Sequence, residues 1–162
     1  MNIRPATVAD VPGVLPMVAR IAALHEQWDP AKYGYRPNPQ EMYRRWLASR
    51  AGDARSVFLV AERDALLGEV PFLVGFLVGT VERELPIYRL DQFGFIHDAW
   101  VEPEYRHEGI GRQMVMLAIE RFRAIGVKQV RLDTAAKNDA ARGLFASCGF
   151  RPSTTEMLIE IG

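Results

Sequence analysis

From Asp98 to Arg112 the chain reads Asp-Ala-Trp-Val-Glu-Pro-Glu-Tyr-Arg-His-Glu-Gly-Ile-Gly-Arg. No other stretch restricts the possible folds as much. An apolar strand ends at Val101, a short loop holding Pro103 and Tyr105 follows, and a long amphipathic segment opens at Gly109. A helix starting there aims several backbone N–H groups without intrahelical partners at whatever precedes it, and its dipole adds partial positive charge. Gly109 and Gly111 carry no side chains, so a bulky anion can approach the backbone closely. Arg106 and Arg112 flank the opening with full charges. This is a pyrophosphate cradle in outline; the plainer alternative is a strand-loop-helix joint whose glycines serve only the turn. The pattern is Arg-x-x-Gly-x-Gly. It lacks the Gly-Lys-Ser/Thr end of a P-loop and the Gly-x-Gly-x-x-Gly spacing of a dinucleotide fold.

Around this stretch, 162 residues make one domain, spanning 1–162. Twenty basic residues balance twenty acidic ones, so no charge excess points to nucleic acid or to an anionic membrane. The single cysteine, Cys148, excludes a disulfide within the chain and any cysteine-based zinc cluster, and no metal site is expected. It fits a reducing, cytoplasmic compartment. The N-terminal Met-Asn-Ile-Arg-Pro-Ala has no apolar core of a signal peptide. The apolar run from Ala65 to Val81 is broken by Glu69, Pro71, Gly75 and Gly79, and reads as two buried strand pieces rather than a membrane span.

The pattern predicts a strand over Asn2–Thr7 and a helix from an Asp10 cap to about Gln27, with Pro12 in its first turn and Pro16 bending it. Trp28 to Pro39 reads as a loop. A second helix follows over Pro39–Arg50, then a break at Gly52-Asp53. Strands are expected at Ser56–Glu62, Phe72–Glu82 and Phe93–Val101, with a turn over Asp64–Leu67. The helix over Gly109–Ile125 sets Ile110, Met114, Leu117, Ala118, Phe122 and Ile125 on one face, and Gly126 stops it. Lys128–Ala135 alternates as a strand. Asn138 caps a short helix over Asp139–Ser147 that Gly149 ends, and Glu156–Ile161 reads as a last strand. This order makes a mixed α/β layer, not a doubly wound sheet.

Arg106-x-x-Gly109-x-Gly111 after a strand, then Asn138-x-x-Ala141-x-x-Leu144-Phe145, closed by Gly149-Phe150, resembles the GNAT superfamily of N-acetyltransferases. Val130-Arg131-Leu132-Asp133-Thr134 stands where that family has its next strand, and the opening Ile3-Arg4-Pro5-Ala6-Thr7-x-x-Asp10 is also similar. The resemblance is specific from about Phe93 to Phe150. It implies a twisted, largely antiparallel sheet with two splayed parallel central strands, ending near Val101 and Ala135, and about four helices. It also implies acetyl-CoA as co-substrate and transfer of its acetyl group to a primary amine of a small molecule or peptide, by direct attack in a ternary complex. Splayed strands leave backbone groups without ladder partners, which a peptide-like pantetheine arm can supply. The resemblance gives that arm the backbone of Trp100 and Val101, with the Val101 N–H polarising the thioester carbonyl. It sets the pyrophosphate on the N–H groups of His107, Glu108, Gly109, Ile110, Gly111 and Arg112, beside Arg106. Asn138, Ala141 and Phe145 complete the cofactor side.

Two departures matter. Where many members of the family carry a tyrosine that protonates the leaving thiolate, this chain has Phe145, which has no proton to give. Another group or water does that work, or turnover is slow, or the chain is an acyl-CoA-binding sensor without catalysis. His107-Glu108 also stands where the family tends to have glycine and a basic residue. For the base that deprotonates the amine, His97 and Asp98 are the candidates, with Glu102 third. Successive strand residues face opposite sides, so His97 and Asp98 share the acceptor cleft only if a bulge intervenes. The acceptor side draws on the first two helices and their loop, where Glu26, Trp28, Asp29 and Tyr33 cluster with His25 and Tyr35. Acids beside aromatics suit a cationic amine, or the aromatics merely pin the loop. Pro86, Ile87 and Tyr88 close the other wall or form a contact in a homodimer.

Overall fold

Apolar residues crowd both faces of the middle strands, so both faces must be covered. In β2 (Ser56–Arg63), Val57, Leu59 and Ala61 join one core cluster while Phe58 and Val60 join another. β3 (Phe72–Arg83) divides in the same way, with Leu77 on the first side and Phe76 and Val78 on the second. The computed structural model, which describes residues 1–64 and 71–162, accordingly sandwiches one sheet between two helical layers. The sheet runs β1 (Asn2–Pro5), β2, β3, β4 (Gln92–Val101), β5 (Val130–Leu132) in sequence order. The first three pairings are antiparallel, and β4 with β5 is parallel.

On one face lie α1 (Val11–Trp28) and α3 (Pro39–Arg50), contributing Val14, Met17, Val18, Ile21 and Leu47 to the second cluster. By length and composition α1 is apolar enough to cross a membrane, yet its apolar stripe packs on the sheet. On the other face lie α4 (Ile110–Ile125) and α5 (Asp139–Ser147). Ile110, Met114, Ala118 and Phe122 of the predicted stripe are buried there, together with Val115. Gly126, at φ 100°, ends α4 by sending its N–H back to the last turn. Asn138 caps α5, accepting from the Ala141 N–H at 3.1 Å.

Three expectations change. The loop after α1 holds a one-turn helix, α2 (Pro30–Tyr33), which Asp29 caps through the Lys32 N–H. The strand expected over Lys128–Ala135 is only three residues long, because its partner leaves it. The last strand expected over Glu156–Ile161 does not form; residues 151–162 belong to no element. Alternation alone does not make a strand; it also needs ladder hydrogen bonds to a neighbour, and among the described residues this segment makes none. Most of the turn read over Asp64–Leu67, and the first part of the apolar run from Ala65, lie outside the described residues.

The paired part of β4 is clamped from below. A Cβ on Gly94 would lie 2.7 Å from Phe122 Cδ1, and one on Gly79 would lie 2.9 Å from Phe122 Cζ. The two glycines make the seat for that ring. Gly94→Ala is therefore expected to destabilise the protein by about 1–3 kcal/mol through overpacking. Gly143→Ala, on an exposed helix position with nothing within 4 Å, should instead gain roughly 0.5–1 kcal/mol. Urea unfolding of both variants measures the contrast.

Candidate active site in the split of the sheet

β4 carries one residue more than β3 provides for. Val78 lies opposite Asp98 and Gly79 opposite Ile96, which leaves His97 as the inserted residue of a bulge. The alternation is thereby reset. Ile96 and Ala99 face α4, whereas His97 and Asp98 both face α1 and α3. The His97 ring stands edge-on to Trp46 of α3, centroids 5.2 Å apart.

Asp98 is the least compensated polar group there. Its Oδ2 is buried and has no hydrogen-bond partner. Burial raises the carboxyl pKa above the ordinary aspartate range, against the opposing influence of the nearby Tyr43 hydroxyl of α3 and of the charges His97 and His25 would carry. The Tyr43 hydroxyl is pushed up in turn, first by burial and then by the neighbouring Asp98 charge, so it stays a donor. Burial lowers the His97 pKa despite Asp98 and Glu82 nearby. The His97 Nε2 lies 2.7 Å from the Thr80 hydroxyl, which donates to Glu82 at 2.5 Å.

Both groups line a cleft between the helical layer and the split. Its walls are Ile21, Leu24, His25 and Trp28 of α1, residues Ile96 to Trp100, the end of β5 with Asp133 and Thr134, and Asn138, Ala141 and Phe145 of α5. Parallel pairing reaches only from Gly94–Val130 to Ile96–Leu132. Beyond it, the Glu102 N–H donates to the Val74 carbonyl at 2.8 Å. Gly75–Val101 is thus a non-hydrogen-bonded pair, and by antiparallel alternation the polar groups of Val101 and Ala99 point away from β3, into the split. Trp100 alternates with them. Its backbone faces β3, whereas the sequence reading gave it to a ligand; the groups of this strand that face the split are those of Ala99 and Val101.

Arg106 also differs from expectation. Rather than flanking the cradle, it folds back: its Nε donates to the Val101 carbonyl at 2.9 Å, and its guanidinium lies 4.7 Å from the centre of the Trp100 ring. Only the N–H of Val101 remains open to the split. Glu102 is engaged as well, accepting from Arg20 at 2.5 Å and from the Trp100 indole at 3.1 Å, which removes it as a free base.

The cradle stands beside this opening. The first intrahelical bond of α4 runs from the Gln113 N–H to the Gly109 carbonyl at 3.0 Å, so the N–H groups of Ile110, Gly111 and Arg112 have no intrahelical acceptor. Gly109 sits at φ 79° and His107 at φ 67°, both left-handed. His107, Glu108 and Arg112 are exposed, and the Ile110 side chain anchors the turn in the core. A Cβ on Gly111 would fall 3.2 Å from Leu144 Cδ2 and 3.8 Å from Val101 Cγ2. Such a group would crowd the mouth of the split.

At the α1 wall of the cleft, His25 turns its Nδ1 to the Ile21 carbonyl at 2.8 Å and meets Trp28 and Tyr33 edge-on at 5.3 and 4.8 Å. Of the four expected substrate residues, Trp28 lines the cleft and Tyr33 reaches it through His25. Asp29 caps α2 instead, and Glu26 is exposed outside the cleft lining. Sequence reading missed Tyr43, since nothing in an amphipathic helix reveals that one of its tyrosines reaches a strand fifty-five residues away. Phe145 lines the cleft, edge-on to Phe150 at 5.5 Å.

Residues 21–150 match the model of the acetyltransferase (GNAT) family. A protein of Archaeoglobus fulgidus named "uncharacterized N-acetyltransferase" is 34% identical over 120 residues, 74% of this chain and 75% of that one. The fold matches a mutant of the BH1408 protein from Bacillus halodurans with a TM-score of 0.85 at 22% identity, over 99% of both chains. An aminoglycoside antibiotic 6′-N-acetyltransferase from Acinetobacter haemolyticus follows at TM-score 0.73 and 15% identity, over 100% of this chain and 99% of that one. At such identities the two solved structures establish the fold.

The buried carboxyl has a measurable consequence. A group whose folded pKa is raised stabilises the fold below its unfolded pKa and loses that contribution as pH rises through the folded value. Asp98→Asn is therefore expected to be more stable than the unaltered protein at pH 7. The gain should vanish below the unfolded aspartate pKa of about 3.9. Denaturant unfolding of both proteins across this range checks the sign; a variant less stable at pH 7 would mean that the carboxylate is well paired.

Proposed function

Since the chain belongs to the GNAT family of acetyltransferases, we propose that it transfers an acetyl group from acetyl-CoA to a primary amine, by direct attack within a ternary complex. One observation carries this reading. Among the described residues a buried carboxylate oxygen without a partner, Asp98 Oδ2, belongs to a residue lining the cleft, and one residue beyond the cleft-lining Trp100 the Val101 N–H faces away from β3, toward the split.

Each residue then has a defined task. The Asp98 carboxylate takes a proton from the incoming ammonium and frees its lone pair. The neutral His97 beside it is the second group able to do so. The Val101 N–H stabilises charge on the thioester oxygen while the nitrogen–carbon bond forms and the carbon–sulfur bond breaks. The departing thiolate takes its proton from water, because Phe145 has none, and that water recovers a proton from the acylated nitrogen as it becomes the amide. Ala99 and the free amide of Asn138 hold the pantetheine arm, and the N–H groups from His107 to Arg112 hold the pyrophosphate. Trp28 and Tyr33, with His25 between them, offer ring faces to a cationic amine of a small molecule or peptide. We place the enzyme in the cytoplasm, in keeping with its single free thiol.

Phe145 supports a second reading, an acyl-CoA-binding module without turnover. Release of free thiol from acetyl-CoA, assayed against polyamines, amino acids, aminoglycosides and peptide N-termini, separates the two. An enzyme releases thiol with at least one amine; a binding module releases none while acetyl-CoA still raises its melting temperature. For the enzyme, Asp98→Ala should lower turnover at neutral pH by about 10²–10⁴-fold. It should leave acetyl-CoA affinity unchanged, and the loss should shrink at alkaline pH, where free amine is abundant. Superimposable pH–rate profiles for variant and unaltered protein would remove Asp98 from the mechanism.

A further inference from the structure

Among the described residues Thr80 of β3 is the one polar residue buried as a whole, 6% exposed. It continues the alternation of Phe76 and Val78, so its hydroxyl lies on the face that packs against α1 and α3. A hydroxyl there needs a partner. Thr80 has two. It donates to a Glu82 oxygen at 2.5 Å, and it lies 2.7 Å from Nε2 of His97.

Together these contacts decide where the imidazole carries its proton. A threonine hydroxyl has one hydrogen, and a carboxylate only accepts. The hydrogen of Thr80 is therefore committed to Glu82. Toward Nε2 the hydroxyl can act only as acceptor, so Nε2 carries the ring proton and the neutral ring has a bare Nδ1. Among the described residues no hydrogen bond reaches that nitrogen. Trp46 and Phe95 hold the ring edge-on at 5.2 and 5.1 Å. It is not sealed in: the side chain is 29% exposed and lines the cleft. Burial lowers its pKa below the ordinary histidine range, against Asp98 and Glu82 and with Arg50 of α3, the charges that act on it. At neutral pH the ring is a neutral base.

A buried carboxyl that has taken a proton must lose it again before the next turnover. Asp98 adjoins His97 on the same face. We propose that Thr80 and Glu82 are positioning residues, which hold His97 as the Nε2–H tautomer so that Nδ1 relieves Asp98 of the proton taken from the amine. The proton passes from the Asp98 carboxyl to Nδ1, and Asp98 returns to its carboxylate. The imidazolium formed faces Glu82 across Thr80, with Nε2 and a Glu82 oxygen 3.6 Å apart. It then gives the proton from Nδ1 to water. The shuttle rests on amine acetylation at Asp98; the tautomer does not.

Nitrogen-15 NMR of histidine-labelled protein, assigned with His97→Gln, tests the hold without substrate. The neutral ring should show a protonated Nε2, exchanging slowly with solvent, and a bare Nδ1. Thr80→Val should abolish the slow exchange, whereas Thr80→Ser, which keeps the hydroxyl, should retain it. Glu82→Gln, at a half-exposed position, should move the His97 titration to lower pH, because the imidazolium loses its facing carboxylate. It serves even if Thr80→Val misfolds. With an amine that is acetylated, the acid limb of kcat/KM should move with that titration. Thr80→Val should lower kcat by about tenfold, part of the roughly 10²–10⁴-fold that a complete acid–base group contributes, and leave the KM for acetyl-CoA unchanged. An Nδ1–H ring, or a ring indifferent to both substitutions, overturns the hold. A limb that stays while the titration moves overturns the shuttle and leaves acetyl transfer standing. If no amine is acetylated, the shuttle falls with the reading it rests on, even where the tautomer is found.

Discussion

Parallel pairing between β4 and β5 holds from Gly94–Val130 to Ile96–Leu132 and then gives out. The break has a local cause on each side. Below it, Phe122 fills the space that Gly79 and Gly94 leave, which fixes the start of β4 against α4. Above it, the inserted His97 adds a bulge, and bulges bend and twist the strand that carries them. β5 cannot follow, and its pairing ends after three residues. Every element of the proposed site lies at or beyond that point: the bulged pair His97–Asp98, the unladdered N–H of Val101, the wall from Leu132 to Thr134, and the opening turn of α4.

The site is maintained against local instability. Asp98 is buried with an unpartnered oxygen, the Val101 N–H lacks a ladder partner, and His107 holds a left-handed backbone that its side chain disfavours. Such groups persist only because the surroundings are well determined. Two packed clusters cover the sheet on either face. Arg106, Trp100, Glu102 and Arg20 form a chain of contacts that ties the end of β4 to α1. Of these groups Asp98 lines the cleft, and Val101 follows Trp100, another of its lining residues, along β4.

Local chemistry made much of this legible in the sequence. Asn138 and Gly126 announce a helix start and a helix end, and the apolar stripe of α4 announces its buried face. The glycine pattern after Val101 announces a helix opening with bare N–H groups. The condition set on His97 and Asp98, that only a bulge could bring them to one face, is met by the register with β3. What escaped the sequence depends on distant partners. The length of β5 is set by where β4 turns away, which no alternation within Lys128–Ala135 records. Arg106 looks like a phosphate ligand until the Val101 carbonyl is seen beneath it. Tyr43 gains its role from the crossing of α3 over the bulge. The segment from Glu156 to Ile161 has the pattern of a strand, yet it pairs with no strand among the described residues.

The central claim is that the backbone exposed where β4 and β5 part receives the pantetheine arm of acetyl-CoA. Amide hydrogen exchange of Val101, followed by NMR with and without acetyl-CoA, addresses it at the atom concerned. In the free protein the Val101 N–H should exchange faster than that of Glu102, which is already bonded to Val74. Saturating acetyl-CoA should slow Val101 by at least about tenfold, the equivalent of about 1.4 kcal/mol of added protection. Binding of acetyl-CoA with Val101 exchange unchanged, and protection appearing elsewhere, would contradict the account.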